Sequence, residues 1–125
     1  MDDAQDYFIA DLWHGRRVKL ASLASNSILD LSGGDSADGT RVQGWEDNGS
    51  SAQRWYLYKV NEGSTWSPWV IKNAATDTWL DLSNGGSADG TAIQCWGQTW
   101  DQVRRNRNSH WFLITQQQHE ASIFR

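Results

Sequence analysis

With 125 residues, 38% of them apolar, the chain is long enough to bury one hydrophobic core and too short for two independent domains, so 1–125 is expected to be a single domain. A formal net charge of −4 excludes a general nucleic-acid binder, which would cluster Lys and Arg against phosphates. Nine tryptophans against a single proline exclude a disordered polar chain, and no apolar run nears the roughly 20 residues that span a bilayer, so membrane insertion is not expected.

In chain order, residues 1–6 are acidic, 7–12 (YFIADL) read as a strand and 13–17 as the turn after it. Two placements of this segment compete. AQDYFIADL matches AQRWYLYKV at 52–60, the last strand of a unit, whereas YFIADLWHGRRVKL matches WVIKNAATDTWLDL at 69–82, the first two strands. Residues 18–23 then form a strand, 24–27 a turn, and 28–31 the next strand, with Leu29 and Leu31 on one face and Asp30 on the other. A glycine-rich stretch, 32–39, ends in Asp38-Gly39, where glycine supplies the positive φ that a tight reversal needs. In the strand at 40–45, Val42 and Gly44 share one face and Gln43 and Trp45 the other. A polar loop leads to a closing strand at 53–60.

The chain then repeats itself. LDLSGGDSADGTRVQGW at 29–45 returns without a gap as LDLSNGGSADGTAIQCW at 80–96, which marks a duplicated structural unit. The second unit has strands at 69–73, 79–82 and 91–96, with Gly44 and Cys95 both expected to face the interior. Gln102-Val103-Arg104 stands where the first unit has Gln53-Arg54-Trp55, so the closing indole looks lost. From Trp111 the chain resembles the opening of a third unit. Short strands, turn signals every eight to twelve residues and no useful helical periodicity predict an all-β fold of repeated units.

Alternation puts each Gln and Trp of the two Gln-x-Trp strands on one side, with Asp30 and Asp81 nearby. Sugars offer ring hydroxyls and a C–H face, so an indole platform beside planar acceptors and donors suits them. Trp45 and Trp96 could belong to the core, but Val42 and Ile93 already supply an inward face. Trp55 is assigned to the core because Leu57 alternates with it, and Asp38 and Asp89 to turn structure. Asp30 and Asp81 could also brace the adjacent turn through its amides. Cys95, the only cysteine, reads as a small buried hydrophobe.

The motif Asp, then Gly-x-x-x-Gln-x-Trp, then Gln-x-Trp resembles the ricin B-type lectins, a family of β-trefoils with three related four-strand units. Its wording, and the lack of cysteine pairs, is similar to the mushroom members. The resemblance implies a β-trefoil whose third unit is incomplete or assembled from both termini. It also implies carbohydrate binding of the galactose or N-acetylgalactosamine type through Asp30, Gln43, Trp45 and Gln53 in the first unit and Asp81, Gln94, Trp96, Asp101 and Gln102 in the second. The family's Asn before the last Gln falls on Ala52 and Asp101, so unequal pockets are expected.

Glycans are thus the expected partners, with no nucleic acid and no cofactor or metal, since His14, His110 and His119 lack ligand spacing. Uncovered strand edges and indoles such as Trp13 or Trp111 could pair two copies into a homodimer. With no secretory leader pattern and no cysteine pair, a cytoplasmic location is expected. The alternatives are a protein-binding trefoil such as a protease inhibitor, working through loops, and a glycosidase. The latter is disfavoured because Asp30 and Asp81 occupy separate units.

Overall fold

The computed structural model describes residues 13–113. The expected strand at 7–12 and the third-unit material at 1–12 and 114–125 lie outside those residues. Among the described residues seven strands form one sheet in the order β1-β4-β5-β6-β7-β3-β2. They are β1 (Arg17–Val18), β2 (Ile28–Leu31), β3 (Thr40–Trp45), β4 (Trp55–Lys59), β5 (Trp69–Asn73), β6 (Trp79–Leu82) and β7 (Ile93–Trp96). β2 and β6 occupy the predicted spans, as do β3 and β5, while the expected strand at 18–23 shrinks to β1 and a single bridge between Ala21 and Ile28.

Each duplicated stretch folds as a hairpin, β2–β3 and β6–β7, with Asp30 opposite Gln43 and Asp81 opposite Gln94. The two glycines of the Asp-Gly pairs, Gly39 and Gly90, take φ of 86° and 85°, a region closed to most side chains, which is what the sharp reversal into the next strand requires. Between hairpins, β4 pairs with β1 and β5, so the first unit is stitched to the second along five consecutive residue pairs from Trp55–Asn73 to Lys59–Trp69.

The second unit also closes, at a place the gapless repeat does not reach. Trp111 bridges Trp69 as Trp55 pairs with Val18. Trp69 lies 51 positions after Val18, but Trp111 lies 56 after Trp55, so five residues have been inserted between Trp96 and Trp111. Trp111 is therefore the closing indole of the second unit, not the opening of a third. By the same correspondence Val18 matches Trp69 and not Leu80.

The core follows the alternation. Leu31, Trp55, Leu57, Trp69, Ile71, Leu80 and Cys95 form one buried cluster, which confirms Trp55 and Cys95 as core. Burial pushes the Cys95 thiol up to about 12, with the Asp81 charge adding to the effect against a hydrogen bond to Thr78. Gly44, the counterpart of Cys95, is exposed rather than interior, with Ser27 Cβ the nearest atom to where its own Cβ would stand. A second cluster of Val70, Trp79 and Val103 lies on the other face of β5. It is covered by the inserted residues, which form one helical turn, α1 (Trp100–Val103). β5 is consequently buried on both faces, although nothing in the single turn WDQV carries a helical period. Among the described residues no helix is long and apolar enough to cross a membrane.

Candidate functional site

Both aspartates sit at the centre of a built cradle. Asp30 is 6% exposed, and its two oxygens accept from Gln43 Nε2 and Gln53 Nε2, each at 3.0 Å. Gln53 is itself fully buried and spends its remaining groups locally, donating to the Glu46 carbonyl at 2.8 Å and accepting from the Asn48 amide at 2.9 Å. Asp81, 5% exposed, accepts from Gln94 Nε2 at 3.0 Å and from the Ser109 hydroxyl at 2.9 Å. Neither aspartate braces its neighbouring turn through backbone amides in these bonds; the repeated glutamines hold them. Each carboxylate oxygen has two acceptor sites, so one bond to each leaves capacity for a ligand hydroxyl.

The indole below each cradle is fixed in the same way in both units. Trp55 Nε1 donates to the Leu29 carbonyl at 3.0 Å, and Trp111 Nε1 donates to the Leu80 carbonyl at 3.2 Å. Trp111 is thereby engaged inside its unit and is not a spare indole for pairing two copies, whereas Trp13 stays exposed. Trp45 and Trp96, the expected platforms, are 52% and 42% exposed, outside the core.

The assignment of Asp101 and Gln102 to the second cradle needs correcting. Gln102 caps α1, its Oε1 accepting from the Thr99 amide at 2.9 Å while its own amide donates to Thr99 Oγ1 at 3.1 Å. Asp101 faces outward and pairs with Arg104 at 3.1 Å and Arg105 at 3.5 Å. The insertion carries both away from the register of Ala52 and Gln53. The residues that take those places are Asn108 and Ser109. Asn108 lies so close to Gly85 that a Cβ there would stand 2.5 Å from its Oδ1, just as the Gly34 position faces Ala52 in the first unit. Asn108-Ser109-His110-Trp111 keeps the Asn and Trp of Asn-Gln-x-Trp; the signal becomes readable once five extra residues are allowed.

A relay supports Ser109. Asn106 Nδ2 donates to Gln98 Oε1 and Gln98 Nε2 donates to Ser109 Oγ, both at 3.0 Å, and the Ser109 hydroxyl donates in turn to Asp81 Oδ1. Gln98 is anchored in turn by Trp79 Nε1, which donates to its carbonyl at 2.9 Å. Next to this relay, Trp96, Gly97, Gln98, Gln102, Arg105 and Asn106 line an open cleft of about 370 Å³. Gln102 thus shares the cleft with Trp96, its Oε1 on the Thr99 amide rather than beside the carboxylate.

The hairpins also meet across units. The Gly97 amide donates to Asp38 Oδ1 at 2.8 Å and the Gly39 amide to the Cys95 carbonyl at 2.9 Å. Asp38 therefore does more than shape its own turn. The tip of the first hairpin lies against Trp96, whose ring carbon Cζ3 stands 3.8 Å from the ideal Cβ position of Gly39. On the first unit, the loop after Trp45 is tied down by Lys19, whose ammonium donates to Asp47 at 2.7 Å. That bond, with the Gly49 amide, holds the Asp47 carboxyl below its ordinary value.

The model of the ricin-type β-trefoil lectin domain-like family matches residues 3–96, and the chain belongs to that family. Carbohydrate binding in the general sense goes with this membership. No curated protein sequence matches. Solved structures share the β-trefoil fold. A designed three-fold symmetric protein, ThreeFoil, superposes with a TM-score of 0.69 at 21% identity over 79% of this chain and 64% of its own. An exo-β-1,3-galactanase from Clostridium thermocellum gives 0.68 at 23% identity, over 80% of this chain and 20% of its own. The ricin B-like lectin of Macrolepiota procera, solved in complex with lactose, gives 0.55 at 22% identity over 68% and 55%. The chain thus spans less than two thirds of each of these proteins.

Proposed function

We propose that the protein is a lectin domain that holds glycans of the galactose or N-acetylgalactosamine type in two pockets, one per unit, and cross-links them without chemical change. The first pocket comprises Asp30, Gln43, Trp45 and Gln53. The second comprises Asp81, Gln94 and Trp96 with Ser109 and Asn108, in place of the expected Asp101 and Gln102. One observation carries the reading: a buried carboxylate with both oxygens pre-aimed by side-chain donors, beside an exposed indole, occurs twice in one chain. A carboxylate fixed in this way has no rotamer freedom to lose when a sugar hydroxyl arrives, which favours binding. The lactose held by a lectin of the same fold supports the galactose type.

Each contact is expected to be weak because an open pocket covers little of a sugar. Two pockets on one chain raise avidity by roughly 10²–10⁴ where both can engage. The test is titration calorimetry with lactose and N-acetylgalactosamine on the full chain and on Trp45→Ala and Trp96→Ala, with thermal unfolding alongside. Each substitution should remove one site and leave a cooperative transition. Loss of the transition would make that indole structural, and release of reducing ends from an oligosaccharide would mean a hydrolase.

A further inference from the structure

The two copies of the unit carry loops of different charge beside their platforms. After Trp45 the loop at 46–52 bears Glu46 and Asp47 and no basic residue. After Trp96 the longer segment 97–108 bears Arg104, Arg105 and Arg107 against the single Asp101, in a chain whose net charge is −4. The loop after the second indole is thus locally positive and the loop after the first locally negative.

Within that loop the three arginines are not equivalent. Arg104 is held by Asp101 through both Nε at 3.2 Å and Nη2 at 3.1 Å. Arg105 makes the longer 3.5 Å contact with the same oxygen and lines the cleft together with Trp96. The cleft's other polar walls are neutral: Gln98 and Asn106 are taken up by the relay to Ser109, and Gln102 spends its Oε1 on the helix cap. At about 370 Å³ the cleft falls within the range of roughly 300–1,000 Å³ typical of small-molecule sites. A guanidinium offers a planar fork that matches a carboxylate or sulfate, and an exchange of the loose Asp101 contact for a ligand anion leaves Asp101 still paired with Arg104.

We propose that the second pocket takes a glycan bearing an anionic group, with the sugar ring against Trp96 and its carboxylate or sulfate on Arg105, while the first pocket takes neutral glycans. This rests on the reading of Trp96 as a carbohydrate platform. The chemistry shared by the two sources is an equatorial or exocyclic anion next to a ring with an apolar face.

The experiment compares three oligosaccharides built on one lactose core: neutral, carboxylated by a terminal acidic sugar, and sulfated. Each is titrated against the Trp45→Ala protein, which isolates the second pocket, and against Trp45→Ala combined with Arg105→Ala, Arg105→Lys or Arg105→Glu. At low salt at least one acidic form should bind roughly two- to fivefold tighter than the neutral one, the upper range of an exposed charge pair. Arg105→Ala should bring that ratio to about one, Arg105→Lys should retain part of it, and Arg105→Glu should invert it. The gap should narrow as salt approaches about 1 M, where screening acts over roughly 3 Å. Whichever acidic form is preferred names the source of the anion. Equal binding of all three glycans, unmoved by Arg105→Ala, would overturn this inference and leave the lectin reading standing. No binding of any of the three, in this protein or the unsubstituted chain, would overturn both.

Discussion

The first and second units reach one arrangement with different residues. In the first, the carboxylate of Asp30 is closed by Gln53, a side chain that reaches the aspartate, a carbonyl and an amide at once. In the second, the shorter Ser109 closes Asp81 and needs Gln98 and Asn106 behind it to fill the same space. The insertion that displaced Gln102 also delivers α1, which buries Val103 against Val70 and Trp79. What recurs is thus the set of bonds, a doubly held carboxylate above a clamped indole, rather than the letters that make them. A loop can lengthen by five residues as long as its far end returns in register.

The strongest way to break this equivalence is at the clamped indoles. Trp55→Ala should cost about 3–5 kcal/mol, since a fully buried ring is lost, and Trp111→Ala roughly 2–3 kcal/mol, because Trp111 is only partly buried. Urea denaturation measures both. A loss under about 0.5 kcal/mol for Trp111→Ala would return it to the surface and undo the match with Trp55.

The comparison sharpens at the closing donors. Gln53→Ala strands a buried carboxylate, an amide and a carbonyl together and should destabilise by about 2–3 kcal/mol, whereas Ser109→Ala leaves Gln98 near enough to compensate and should cost about 1–2 kcal/mol. If Ser109→Ala proves the more costly, the relay is rigid and not a substitute for the longer side chain.

The smallest effect separates Cys95 from Gly44. The native chain keeps a proton on Cys95 up to about 12, while the unfolded chain releases it near the ordinary 9.0. The unfolded state therefore binds fewer protons above pH 9, and stability falls as pH rises from there, by about 1 kcal/mol near pH 10. Denaturation of the unsubstituted chain and of Cys95→Ala at pH 8 and 10 isolates this slope as a difference. Equal slopes would mean that the thiol ionises freely in the native state.

How far the sequence discloses this follows from how local each feature is. The hairpins were legible because β2–β3 and β6–β7 are built from adjacent strands and a turn that Gly39 and Gly90 mark plainly. Asp30, Gln43, Asp81 and Gln94 were legible because strand alternation alone brings them together across one ladder. Ser109 and Trp111 were hidden by the insertion, which broke the 51-residue spacing that the upstream repeat had established. Gly44 was misplaced because alternation gives the face a residue takes and not what covers that face, and the cover over Cys95 does not extend to Gly44.

The tip of the first hairpin, where Asp38 receives the Gly97 amide and Gly39 lies against Trp96, has a bearing on how such repeats diverge. The surroundings of Trp96 are a seam shared by two copies. Selection on the second copy therefore acts partly through residues encoded in the first. A change at Asp38 or Gly39 that suited its own hairpin would be judged by its effect on a neighbour. A loop such as 97–108 lies on one side of this seam and can change length or charge alone, while the paired tips tie the inheritance of one repeat to that of the next.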